Sequence, residues 1–179
     1  MLKKLYIEPT TKCNLNCKMC FRHTWFDEAF CDLSLEDYCR VLDTMPKTVR
    51  TIFFGGMGEP LFHKDILEMI RLAAETGVEV ELLTNGTLLT EAMIHGIMDA
   101  GLTRLWISID DLETDSSINA SSGHGTLDHS GHDHSGQVLS NIRLLNKIRQ
   151  KSLSSISLGI TFVAMKSNAH QLSKLPFFI

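Results

Sequence analysis

The sequence predicts an α/β fold: a parallel sheet with helices packed outside it. Two observations predict it. Short apolar runs rich in Ile, Val, Leu and Phe alternate with amphipathic segments of helical period. The polar, chemistry-bearing residues gather just after those runs, at the carboxyl ends of the predicted strands, where parallel folds keep their ligands.

The predicted strands are 3–8, 50–54, 79–84, 104–109 and 156–163, each rich in Ile, Val, Leu or Phe, as a buried parallel strand should be. Between them, Ser34 is positioned to cap a helix over 35–44, Asp65 one over 66–76 and Thr90 one over 91–100. Ile66, Ile70 and Ala73 share a face, and Gly77 and Gly101 stand at the stops. Val138, Ile142, Leu145 and Ile148 recur at helical spacing through 138–150. A curved partial barrel and a doubly wound sheet both satisfy this alternation. One segment, 111–136, breaks it, being rich in Ser, Gly, Asp and His and nearly free of apolar residues. It reads as a long polar loop.

The 179 residues suffice for one domain with a sizeable core, and a 44% hydrophobic content is ordinary for a globular chain. A net charge of −4 without a Lys/Arg block argues against a nucleic-acid or anionic-membrane surface. The first residues reach Glu8 too soon for a signal-peptide core, and no apolar run is long enough to span a bilayer, so a cytoplasmic location is expected. Of the five cysteines, Cys31 and Cys39 read as free thiols, Cys39 as a small buried hydrophobe. An odd count without an export signal does not suggest a disulfide framework.

Cys13, Cys17 and Cys20 crowd into the run Cys13-Asn14-Leu15-Asn16-Cys17-Lys18-Met19-Cys20 directly after the first strand. Three thiolates on one loop can grip three irons of a cubane cluster and leave the fourth iron open. Zinc is the rival, since His23 is near enough in sequence to serve as a fourth ligand. After the second strand, Gly55-Gly56-Met57-Gly58-Glu59-Pro60 combines glycines, which admit close approach of backbone to a ligand, with a carboxylate. The third strand ends in Leu83-Thr84-Asn85-Gly86 and the fourth in Ser108-Ile109-Asp110, with Trp106 in the fourth reading as a core residue.

CNLNCKMC after a strand resembles the signature of the radical S-adenosylmethionine (SAM) superfamily, and the segments around Gly58, Asn85, Ser108 and 159–168 resemble that family's later motifs in the same order. The resemblance implies a single core domain over 1–179, a partial parallel (β/α) barrel incomplete at the C-terminus. It implies a [4Fe–4S] cluster on Cys13, Cys17 and Cys20, with SAM chelating the open iron and being cleaved reductively to a 5′-deoxyadenosyl radical. It further implies that Met19 lies near the adenine, that Gly58 and Glu59 meet the SAM amino group, and that Asn85, Ser108 and Asp110 complete the cofactor site. No catalytic acid or base is identified. The opening 5–25, with Arg22, His23 and Trp25 after the cluster motif, is most similar to SPASM-type maturases, and among these to those serving tungsten-containing oxidoreductases. That implies a peptide or metalloenzyme cofactor-precursor substrate and an external electron donor. Family barrels have six β/α units, whereas five strands are counted here without a cysteine-rich extension, so a truncated chain is expected. A non-catalytic metal or iron–sulfur protein, or an inactive fragment, is the alternative. His124, His129, His132 and His134 in the polar loop could take a metal. Without a hydrophobic frame to fix their geometry, they read first as solvated.

Overall fold

The computed structural model describes residues 1–17, 19–24, 29–109, 132, 134–152, 154–166 and 168–177. Five strands form one sheet in the order β1-β2-β3-β4-β5: β1 Lys4–Ile7, β2 Thr51–Phe54, β3 Glu79–Thr84, β4 Arg104–Ser108 and β5 Ser157–Thr161. Every neighbouring pair is parallel. Each strand adds beside its predecessor without the reversal of order that defines a doubly wound sheet. The arrangement is that of a partial barrel, which decides between the two architectures periodicity left open.

Helices α1 (Leu35–Thr44), α2 (Ile66–Glu75), α3 (Glu91–Asp99) and α4 (Ser135–Ser152) connect the strands. Ser34 and Thr90 cap as predicted, accepting the Asp37 and Met93 amides at 3.0 and 3.2 Å. Asp65 occupies the N-cap position of α2 but makes no side-chain cap bond. Its backbone N–H instead donates to Nδ1 of the buried His63, whose Nε2 meets the Leu33 carbonyl. Helix α4 begins at Ser135, so the last two residues of the predicted polar loop are helical. The cap and stop positions at 90 and 101 precede and follow α3 as expected, and Gly77 and Gly101 take φ of 80° and 90°. After β5 the described chain ends in a 3-10 helix, Ala169–Phe177.

One face of the sheet is the core. Ile52, Phe54, Val80, Leu82, Leu105 and Ile107 pack against Tyr38, Met69, Ile70, Ile94, Ile97, Val138, Ile142 and Leu145. The stripes predicted for α2 and α4 are all buried there. Alternation sends the other residues to the opposite face: Lys4, Tyr6, Phe53, Glu81 and Trp106. Tyr6 and Phe53 lie ring to ring at 5.1 Å. Glu81 accepts from Lys4 Nζ at 3.0 Å and Trp106 Nε1 at 2.8 Å. Trp106, expected in the core, is therefore half-buried on this second face. It lies flat over Gly159, where an added Cβ would come within 3.0 Å of the indole.

Candidate functional site

At the carboxyl edge of the sheet a cavity of about 390 Å³ opens between the segments after β1, β2, β3 and β4. Cys13, Cys17, Met19 and Cys20 line one side, Gly56, Met57, Gly58 and Glu59 another, and Leu83, Thr84, Asn85 and Ser108 the strand ends. The structure thus brings together every residue predicted for the cluster and cofactor site that it describes, whereas His23, His132 and His134 lie outside this cavity. Asp110, His124 and His129 lie outside the described residues.

The cysteine loop is held from several directions. The Leu15 amide donates to Cys13 Sγ at 3.4 Å, and Asn85 Nδ2 lies 3.8 Å from the same sulfur. Asn85 Nδ2 also donates to Asn14 Oδ1, and Asn14 Nδ2 to Thr87 Oγ1. Asn85 thereby ties the loop after β1 to the end of β3. Lys12 Nζ and Thr10 Oγ1 both meet Asp32, at 2.7 and 2.6 Å. Burial pushes the Cys13 thiol above its ordinary pKa, against the lowering effect of the Leu15 amide. None of the five cysteines is in a disulfide, and Cys31 is exposed whereas Cys39 is half-buried in α1.

Glu59 is buried and spends its carboxylate on the protein: Leu61 N–H and Thr84 Oγ1 donate to Oε1, and Asn85 N–H to Oε2. Desolvation nevertheless lifts its pKa to about 7. A carboxylate has about four acceptor positions, of which these donors occupy three. The loop bearing it lies on the cysteine loop, with Glu59 N–H donating to the Lys12 carbonyl at 2.8 Å. A Cβ on Gly58 would fall within 2.5 Å of that same oxygen, so only glycine allows the two loops to touch.

Three cysteines lining one cavity suit a cluster, in which each thiolate takes its own iron. Among the described residues no three His, Cys, Asp or Glu side chains converge as ligands of a single ion must. His23, the zinc alternative's fourth ligand, is exposed, with Nε2 3.0 Å from the Cys17 carbonyl oxygen. It is not among the residues lining the cavity. His134 Nδ1 pairs with Gln137 at the start of α4. Sequence reasoning missed the carboxylates that brace the site, Glu8 and Asp32, because a lone acidic residue outside a motif carries no signal. It also passed over Thr87, which extends the quoted Thr84-Asn85-Gly86 segment by one residue.

A barrel-type parallel sheet thus carries a three-cysteine loop and a glycine-rich loop across one cavity. A model of the radical SAM superfamily matches residues 7–166, and the chain belongs to that superfamily. It is an enzyme family whose cofactors are SAM and an iron–sulfur cluster. The chain is 33% identical over 181 residues to the tungsten-containing aldehyde ferredoxin oxidoreductase cofactor-modifying protein of Pyrococcus furiosus, covering 99% of this chain and 48% of that protein. It is 32% identical over 112 residues to the PqqA peptide cyclase of Granulibacter bethesdensis, covering 62% of this chain and 30% of the relative. The chain thus spans less than half the length of these relatives. Among solved structures, Streptococcus suis SuiB bound to precursor peptide SuiA matches 98% of this chain and 36% of its own, with TM-score 0.72 and 20% identity. Methylornithine synthase (PylB) matches 98% of this chain and 50% of its own, with TM-score 0.65 and 14% identity. Both likenesses are of fold. No helix among the described residues is long and apolar enough to cross a membrane.

Proposed function

We propose that Cys13, Cys17 and Cys20 hold a [4Fe–4S] cluster with which this chain, as one core domain over 1–179, cleaves SAM reductively. We infer that the reaction serves maturation of a peptide or a metal-cofactor precursor for a tungsten-containing oxidoreductase, with electrons from an external donor. The observation that carries this reading is the shared cavity, lined by the three cysteines, the Gly58–Glu59 loop and the ends of β3 and β4. The similarity to the Pyrococcus furiosus cofactor-modifying protein along 99% of the chain supports the setting.

When bound, the cluster supplies an electron and an iron without a protein ligand, at which SAM is cleaved homolytically. The chain's own residues supply the rest. The thiols would lose their protons on loading, and burial makes Cys13 release its proton less readily than an ordinary thiol. Asn85 and the Leu15 amide hold the Cys13 sulfur in place. Gly58 and Glu59 would receive the ammonium of SAM. Met19 would lie beside the adenine, and Ser108 and Asp110 would offer polar contacts to the ribose and carboxylate.

Anaerobic reconstitution with iron and sulfide tests this reading. Uptake of close to four irons per chain, a visible absorption bleached by dithionite, and 5′-deoxyadenosine formed from added SAM are the expected results. Cys17→Ala should take up no cluster. Stoichiometric zinc with no iron uptake, or iron unchanged in that variant, would overturn it in favour of a non-catalytic metal-binding protein.

A further inference from the structure

The side chain that follows β1 reaches across to the loop after β2. Glu8 Oε1 accepts the backbone N–H groups of both Met57 and Gly58, the second at 3.4 Å. The loop makes room for it at Gly56, which has φ of 152° and where an added Cβ would lie 2.5 Å from the Glu8 Cδ and 2.7 Å from its Cγ. Both halves of the contact are therefore built: two consecutive amides converge on one oxygen, and a missing side chain leaves the space it occupies. Consecutive amides of this kind form an anion-binding nest, and a carboxylate acceptor makes the bonds charge-assisted.

The two ends of the loop are anchored by backbone hydrogen bonds, and at Glu59 by its carboxylate as well. Gly55 N–H donates to the Ile7 carbonyl at 3.1 Å and Glu59 N–H to the Lys12 carbonyl at 2.8 Å. Glu8 thus braces the middle, the portion at Gly56, Met57 and Gly58 that lines the cavity. The chemistry follows. With the amides of residues 57, 58 and 59 all consumed inside the protein, the hydrogen-bonding capacity that residues 57–59 retain is acceptor in character. An acceptor loop suits an ammonium group and repels a carboxylate. An unfilled nest would do the opposite and invite the carboxylate of an amino-acid ligand to the wrong side of the cavity.

We propose that Glu8 is a positioning residue that fills the Met57–Gly58 nest and so sets the 55–59 loop to receive the amino group of SAM. This rests on the SAM reading above, and the test separates the two. In the cluster-free chain, amide exchange at Met57 and Gly58 is followed by NMR in the parent, E8A and E8Q. In the reconstituted chain, iron content and SAM affinity by calorimetry are measured for the same three. E8A should speed exchange at both amides by about tenfold or more and weaken SAM by at least about tenfold, with iron content unchanged. E8Q keeps an acceptor oxygen without the charge and should restore a large part of both losses. G56A, which places a carbon where Glu8 lies, should cost much less SAM affinity in an E8A background than in the parent, because the two changes break one contact. Unaltered exchange in E8A, exchange in E8Q as fast as in E8A, or additive effects of E8A and G56A would each overturn the proposal. Should E8A fail to fold, E8Q decides, since loss of protection there is equally fatal. A parent chain that takes up no iron sinks the SAM reading, while the exchange arm still decides whether Glu8 fills the nest.

Discussion

Replacing Glu59 with Gln in the cluster-free chain gives the sharpest check on how the site is built. Two effects compete at this carboxylate. Complete burial disfavours its charge, and three donors, from Asn85, Thr84 and Leu61, favour it. Burial wins, and the pKa rises from 4.5 to about 7. A folded-state pKa above the unfolded one means that stability is fully present below pH 4.5 and is lost as pH rises through about 7. At about 1.36 kcal/mol per pH unit, the loss between pH 4.5 and 8 is about 3 kcal/mol. Gln cannot ionise, so the parent-minus-variant stability gap should shrink by that amount across this window. A pH-independent offset of about 1–3 kcal/mol is added, because the Gln amide cannot accept at both ends and leaves one buried donor unpaired. For a chain of this length the pH-dependent part corresponds to about 6–12 °C in Tm. Thermal unfolding of both chains by circular dichroism from pH 4.5 to 8 measures it. A gap that stays flat within about 1 kcal/mol across that range would show that the three hydrogen bonds outweigh burial, and the reasoning would fail.

Glu81 should behave in the opposite sense. Burial opposes its charge, but Trp106, Lys4 and Arg104 outweigh burial and hold its pKa below the usual range. The stability of the parent relative to Glu81→Gln should therefore be present above pH 4.5 and disappear as pH falls through the depressed pKa, read as Tm against pH in the acid range. Gly58→Ala should destabilise by about 1–3 kcal/mol, seen as a lower denaturation midpoint and weaker iron retention, because the new carbon meets the backbone carbonyl of Lys12, which cannot swing aside. Tyr38→Phe removes a buried hydroxyl that donates to the Met69 carbonyl at 2.8 Å. It should cost about 0.5–1.5 kcal/mol in chemical denaturation without changing iron uptake.

The strands and helices were legible in advance because each carries a local signal. An apolar run buried on one face, such as 79–84, or a stripe such as Val138, Ile142, Leu145 and Ile148, announces itself within a few residues. Ser34 and Thr90 announced their helices for the same reason. Asp65 did not cap, because the choice between its side chain and the His63 ring for nearby backbone was made by how His63 is seated against Leu33. Trp106 was misjudged as core because period-two alternation states that neighbours face opposite ways, not which way is covered by helices.

The candidate site divides along the same line. The cysteine spacing, the glycine loop and the polar strand ends are short-range patterns, and they named the residues that line the cavity. What the amino-acid order determined by itself was therefore the set of elements and the chemical groups each one delivers to the carboxyl edge. Only the tertiary structure decided the consecutive order of strands, the burial that raises Glu59 and the reach of Glu8 to amides 49 and 50 positions away. Each of these depends on contacts between segments distant in sequence, and no local pattern encodes the dielectric, the partner or the free space that such contacts create.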